Sequence, residues 1–502
     1  MVDNYFKKIV NMIFTTNVLR LVLVFVVLLC LLLVGCSGAE LNKRDSGTTK
    51  SIEPQKSVEV KKSIPAVAEQ KGEQKIGQKT EQNVEPHDAK TNGSTSLYTQ
   101  KEYATNNYSK SNNAKDEYKQ SDYKQSPIFT KLKGCEEKKD VVFTSLPIAA
   151  EKITVIEPQG ELTGYVSGHI TPGDHVGFQY DANAGAIPVY ALADGYLVRV
   201  ERNPGYFGIG VKNYHFYFEY SCTLFGSYVH ITEVAPELLA ADASFAKLDG
   251  FSEEKLPLGQ NFIYPRIPVK AGQMIGKVEK WGLLGMLTVD STVSHSGFIS
   301  SKIYDGEPWK MHAVPVFGYF SPALQSQIDL KNPRTVEPRG GRIDFDIPGK
   351  LVGNWFVEGT DYASSKKIEQ YCGDYLCPYW ANHLSFVYDS VEPSQVRVSI
   401  GSDMGLGGDS GPYGVLGNSP DPKTISVASG IVKYELVKLK DVTAARGFKS
   451  QGKALITENT NEVLGTLLVS MSDENHLKME VFAKKKANEV AGFSGKEKMY
   501  YR

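Results

Sequence analysis

The spacing of apolar and polar side chains divides the chain into stretches of different character. Lys7, Lys8 and Arg20 precede an uncharged run from Leu21 to Val34, which gives way to polar sequence at Cys36. Spanning a bilayer takes about 20 apolar residues, so this shorter run predicts a signal-peptide apolar region. From Ser37 to about Phe129 apolar residues almost never adjoin. Such a segment buries too little surface to offset its conformational entropy, and it predicts a disordered tether. Beyond Val141 short strand patterns begin. Ile187-Pro-Val-Tyr-Ala and Tyr196-Leu-Val-Arg-Val flank Asp194-Gly195 and predict a hairpin, and Pro268 to Val278 predicts a turn entering a strand. After a Pro/Gly-rich joint, Asn332 to Gly341, period-two alternation recurs in Arg342–Ile347, Ser385–Tyr388, Gln395–Ile400 and Lys478–Phe482. Gly465–Met471 and Lys478–Ala483 frame Asp473-Glu-Asn as a second hairpin. These patterns predict a mainly β protein: an antiparallel β-domain, then a second antiparallel β barrel or sandwich. The boundaries are 1–35 for the leader, 36–136 for the tether, 137–334 for the first folded domain and 335–502 for the second.

Charge removes one class of partner. The 502 residues carry Lys+Arg 56 against Asp+Glu 57, a net charge of -1, which gives no basic field for nucleic acid. The length suffices for two or three cores at about 100–200 residues each. Tyr98, Tyr103, Tyr108, Tyr118 and Tyr123 fall on a five-residue period. That period matches neither a helical nor a strand face, so the tether reads as a low-complexity expansion, with a tyrosine-based adhesive strip as the competing reading. At about 5–6 Å times the square root of its length, it spans roughly 50 Å.

Leu33-Val34-Gly35-Cys36 resembles the lipobox of bacterial lipoproteins. The resemblance implies cleavage before Cys36, acylation of its thiol, and a chain lipid-anchored to the cell membrane on the extracytoplasmic side. An uncleaved anchor helix is the alternative. Several acyl chains at about 0.8 kcal/mol per buried CH₂ make a durable anchor. Export favours disulfides, and Cys135, Cys222, Cys372 and Cys377 remain for two bridges. Cys372 and Cys377 are near enough to clip one loop, with Cys135–Cys222 as the complement. The competing zinc site would need ligand pairs at finger-like spacing.

Four segments of the first domain, His175-Val-Gly-Phe-Gln-Tyr, Pro188 to Gly195, Ser227-Tyr-Val-His230-Ile and Val269 to Gly276, resemble in order and spacing the lysostaphin-type zinc endopeptidases of peptidoglycan, the LytM-like fold. The resemblance covers about 130 residues. It implies a zinc held by a histidine, an aspartate four residues on, and the second histidine of a His-x-His pair, with a fourth position for water. His175 occupies the first ligand position and His230 that of an auxiliary histidine. Gln179 stands at the aspartate position, and Leu284 and Met286 align with the two histidines of the closing strand. An amide and a thioether are poor substitutes for a carboxylate and an imidazole on zinc. One ligand, His175, remains. The candidates for replacing the absent ligands are His169, Asp174 and His215, but adjacent Asp174 and His175 should point to opposite faces of an extended segment.

Gly408-Asp-Ser-Gly-Pro412 looks like a serine-protease nucleophile segment, yet no matching histidine segment accompanies it. Gly353-Asn-Trp-Phe resembles a lipocalin strand, and Arg339, Trp355, Tyr379 and Trp380 are candidate liners of a ligand surface. The expectation is a cell-envelope lipoprotein whose peptidase-like domain has lost its zinc ligands. It would act, without cofactor, as a non-catalytic module for peptidoglycan or an envelope protein. The alternative is an active zinc metallopeptidase with other ligands; small-ligand carriage by the second domain is a third reading.

Overall fold

The computed structural model describes residues 140–163, 169–203, 212–249, 261–362, 379–402, 406 and 412–502. The leader, the tether, Cys36, Cys135, Cys372, Cys377 and the Gly408-Asp-Ser-Gly segment lie outside the described residues. Among the described residues the protein is mainly β and antiparallel.

The first domain is a large sheet packed on a small one. The large sheet takes β1 (Ile153–Glu157), β2 (Val176–Tyr180), β11 (Leu283–Asp290), β6 (Leu224–Ile231), β5 (Asn213–Glu219), β4 (Gly195–Asn203) and β8 (Phe262–Ile263) in that spatial order. Two further strands, β9 (Ile267–Val269) and β12 (Ala313–Val314), pair with β4 and β11. The small sheet is β3 (Ile187–Tyr190), β10 (Met274–Val278) and β7 (Glu233–Val234). One apolar cluster fills the space between the layers. It takes Val176, Phe178, Phe216, Tyr228, Leu284 and Met286 from the large sheet and Val189, Ile275 and Val278 from the small one. The other face of the large sheet is therefore left for chemistry. Three short helices, α1 (Pro236–Ala241), α2 (Phe245–Asp249) and α3 (Pro322–Asp329), complete the described part of this domain.

Two expectations change here. Asp194-Gly195 does not close a hairpin, since β3 pairs with β10 and β4 with β5, so the chain crosses between sheets at this point. The Asp194 carboxylate accepts the Ala271 N–H at 3.0 Å and an ion pair from Lys270 at 2.8 Å, which ties the crossover to the β9–β10 turn. Gly195 serves close approach: a Cβ there would lie 2.5 Å from the Glu219 carbonyl oxygen. Residues 342–347 form no strand either. Their carboxylates take the bonds that a ladder would have taken, Asp344 from the Gly297 N–H at 3.2 Å and Asp346 from the Ile299 N–H at 3.1 Å and the Asn354 N–H at 2.8 Å. Burial pushes the Asp346 carboxyl up to about 6, against the pull of Arg502.

Of the two architectures open for the second domain, the structure is the barrel. Its strands are β13 (Gly353–Val357), β14 (His383–Tyr388), β15 (Val396–Ile400), β16 (Pro412–Val415), β17 (Val432–Asp441), β18 (Thr457–Met471), β19 (His476–Ala483) and β20 (Lys498–Tyr501). Pairing of β13 with β20, Phe356 opposite Tyr501, closes the ring and removes its edges. The Asp473 hairpin forms as expected, with Met471 opposite Leu477. Trp355, Phe386, Tyr434, Leu467, Met479 and Tyr500 belong to one buried cluster. Trp355 is thus core: its indole N–H donates to the Leu351 carbonyl, and the Arg502 guanidinium lies 4.1 Å over its ring. Arg339 pairs instead with Asp329 at the end of α3, so these two candidates share no ligand surface.

Candidate functional site

The chemistry-bearing face of the large sheet is centred on β2 and β11. His175 immediately precedes β2, and Gly177 and Gln179 follow at alternate positions, so all three address one face. On β11 the residues opposite Gln179 and Gly177 are Leu283 and Gly285. A Cβ placed on Gly285 would sit 3.3 Å from His175 Cδ2 and 2.5 Å from Val229 Cγ2. The residues that confront His175 and Gln179 are therefore Leu283 and Gly285. Leu284 and Met286 point the other way, buried among the core residues. This corrects their placement as the vestigial pair. Alternation along β11 has a period of two, and a one-residue difference in register exchanges the faces.

Gln179 is committed to other partners, and the β11 residues that face this strand carry no donor side chain. Gln179 is buried; its amide N–H donates to Glu157, and its amide oxygen accepts the Gln451 backbone N–H at 2.7 Å. Leu283 offers no donor atom and Gly285 no side chain. Among the described residues no three His, Cys, Asp or Glu side chains are arranged to hold a metal ion. The zinc set of the lysostaphin-type family does not fit these residues.

His175 is oriented by its neighbour. Asp174 lies before β2, outside the strand alternation, and its carboxylate meets His175 Nδ1 at 3.2 Å, contrary to the expectation of opposite faces. The same carboxylate accepts the Trp309 indole N–H and the Lys310 ammonium, each at 3.0 Å. Burial works against the Asp174 charge, but Lys310 and His175 hold its carboxyl well below the usual range. With Nδ1 on Asp174, the other edge of the ring faces the bare backbone of Gly285. The imidazole is about a quarter exposed, at 27%.

Three further imidazoles surround it. His169 meets the His175 ring edge-on at 4.9 Å between centroids. His215 stacks on Tyr217 at 4.2 Å, with the hydroxyl 3.0 Å from its Nδ1. His230, left-handed at φ 73, bulges out of β6 and stacks on Trp281 at 4.4 Å. All three are held neutral, by burial first: His169 and His215 well below their ordinary value and His230 down to about 4, with charge on His175 opposing each further. His169 Nδ1, His215 Nε2 and His230 Nδ1 are buried with no hydrogen-bond partner among the described residues. Sequence reasoning found His175 and His230 by motif spacing and named His169 and His215 only as reserves.

The part that the sequence did not reveal lies on β1. Glu157, at the end of β1, and Glu161 both receive the Lys453 ammonium, at 2.9 and 2.5 Å, from the long connection between β17 and β18. Burial alone would raise Glu157, but Lys453 and hydrogen bonds from Glu161 and Gln179 hold it down at about 2. Burial and the Glu157 charge push the Glu161 carboxyl well above its ordinary range. A lone charged residue closing the Ile-Thr-Val-Ile-Glu strand was the available signal; nothing local marks Lys453.

No protein-family model matches the chain, and no curated protein matches it. Among solved structures, it is similar to Helicobacter pylori Csd3, at 14% identity and a TM-score of 0.20, over 36% of this chain and 35% of that one. It is also similar to a chain of the SpoIIQ-SpoIIIAH pore forming complex, at 12% identity and a TM-score of 0.23, over 36% of this chain and 93% of that one. The chain thus spans about a third of the length of the first of these relatives.

Proposed function

We propose that this chain is a cell-envelope lipoprotein, anchored through Cys36 on the extracytoplasmic side, whose lysostaphin-like domain binds peptidoglycan or an envelope partner without cutting it. The observation that carries this reading is the pair Leu283 and Gly285 facing His175 and Gln179, which supplies no imidazole where the family has its His-x-His pair. Imidazole nitrogens of His169, His215 and His230 that have no partner among the described residues support a polar ligand, because a hydrogen bond from a ligand group would complete them. Disulfides Cys135–Cys222 and Cys372–Cys377 belong to the same reading; Cys222, the one described member, is buried in the turn between β5 and β6.

The test uses the full lipidated chain extracted from membranes. It should co-sediment with purified cell-wall sacculi, carry no stoichiometric zinc, and release no soluble fragments. Stoichiometric metal together with chelator-sensitive release would establish the alternative, a working metallopeptidase. Absence of co-sedimentation would remove peptidoglycan as the ligand.

A further inference from the structure

The connection between β17 and β18 leaves the barrel and lies against the candidate site. Lys449 pairs with Asp181 at 2.9 Å, the Gln451 N–H donates to the Gln179 amide oxygen at 2.7 Å, and the Gln451 amide oxygen accepts the Ala182 N–H at 3.4 Å. Lys453 then enters between Glu157 and Glu161. A backbone N–H and a cationic side chain thus engage β1 and β2 in the way a bound peptide would. We propose that Lys449–Lys453 is a built-in occupant of this end of the site, and that a peptide ligand carrying a primary amine displaces it, putting its own ammonium between Glu157 and Glu161. This deepens the binding role proposed above and rests on it for the identity of the site.

Three observations carry the exchange. The segment turns at Gly447 and Gly452, at φ +85 and +71, where an added Cβ would meet nothing within 4 Å, so both turns stand in open space. Its apolar hold is a satellite cluster, Val442, Leu455 and Ile456 against Val155 and Val391, separate from both main cores. The acidic pair is nearly closed to solvent, with Glu157 5% and Glu161 11% exposed, while Lys453 is 27% exposed. Uncompensated charge in such a place is costly, so Lys453 leaves readily only when another cation arrives. A compact ammonium with three donors suits two carboxyls at one point better than a planar guanidinium fork does.

Hydrogen exchange at the Gln451 amide reads the displacement in the unmodified full chain. Nα-acetyl-lysine methylamide should accelerate that exchange several-fold and saturably, at matched ionic strength. Nα-acetyl-norleucine methylamide, which lacks the ammonium, should not. In Lys453→Met the internal competitor is gone, and the lysine probe should bind at concentrations roughly tenfold lower, since a tethered group competes at an effective concentration near millimolar. Adding Glu157→Gln and Glu161→Gln should abolish that binding. If both probes leave the Gln451 amide equally protected, the proposal is overturned, whether or not the variants fold. Sacculus binding with no probe effect would remove the displacement and leave the binding role. A probe effect without sacculus binding would do the reverse.

Discussion

Gly285 illustrates how a single position decides what this site can be. Its missing side chain leaves room for the His175 ring, and an added Cβ would press on Val229 at 2.5 Å before it reached the imidazole at 3.3 Å. A contact under 3 Å with a branched, half-buried side chain must be relieved by a shift, and overpacking of this kind costs about 1–3 kcal/mol. Gly285→Ala should therefore lower the unfolding free energy measured in urea by an amount in that range, and Val229→Ala added to it should recover most of the loss. Additive losses in the double variant would show that Val229 is not the obstacle. The same geometry explains what the residues alone could not give. The motif order was sufficient to bring His175, Gln179 and His230 to one region, but β11 carries no histidine that would fix its register. Leu283-Leu-Gly-Met-Leu is apolar at every position but the glycine, so the sequence leaves open which face meets His175, and the pairing of Gly285 with Gly177 resolves it.

Among the elements, β4 depends most on a residue that the sequence misassigned. Asp-Gly between two apolar runs is the strongest short-range hairpin signal, and the existence of both strands was legible around it, though β4 runs on to Asn203. Partner choice was not, because it is set by contacts distant in sequence: Asp194 is claimed by Ala271 and Lys270, and Gly195 lies against Glu219. Replacing Gly195 by Ala should strain the β4–β5 ladder at the Glu219 carbonyl, 2.5 Å from the new Cβ, and cost about 1–3 kcal/mol. Gly318→Ala, with open space around it, should stay within about 0.5 kcal/mol of the parent. Equal midpoints for the two variants would mean that Gly195 is simply a turn residue. Residues 342–347 teach the same lesson from the other side. Their alternation in sequence is not matched by burial, since Asp346 is buried and Ile347 exposed; Asp344 and Asp346 spend their carboxylates on the backbone of 297–299, and no neighbouring strand is needed. By contrast the β18–β19 hairpin and the β9–β10 turn, both settled by local turn chemistry, were readable in advance.

Across the whole molecule, buried histidines set the response to acid. His230 in the first domain is depressed by burial to about 4, and His383 in the barrel, buried beneath Tyr362, to about 3. Their ordinary value is 6.5. Above that value both folded and unfolded chains hold these rings neutral. Between pH 6.5 and the folded values, only the unfolded chain binds the protons, so stability falls as pH falls. Each ring should cost about 2 kcal/mol on going from pH 7 to pH 5, because every tenfold difference in proton affinity between the two states is worth about 1.4 kcal/mol. His169, His215 and His312 are depressed in the same direction. Asp346 opposes them, because its raised carboxyl takes up a proton in the folded chain as pH passes about 6, returning about 1 kcal/mol by pH 5, and the raised carboxyls of Glu161, Glu219 and Asp305 act in the same direction. The histidines win by number. Urea midpoints measured at pH 7 and pH 5 should therefore drop on acidification, and His383→Gln, whose amide can still donate to the Tyr362 carbonyl that His383 Nε2 meets at 2.9 Å, should show a smaller drop by about the share of one ring. Parallel curves for parent and variant would mean that His383 takes its proton within the barrel, and that the acid response arises in the four-imidazole face instead, where His230→Gln would then carry it.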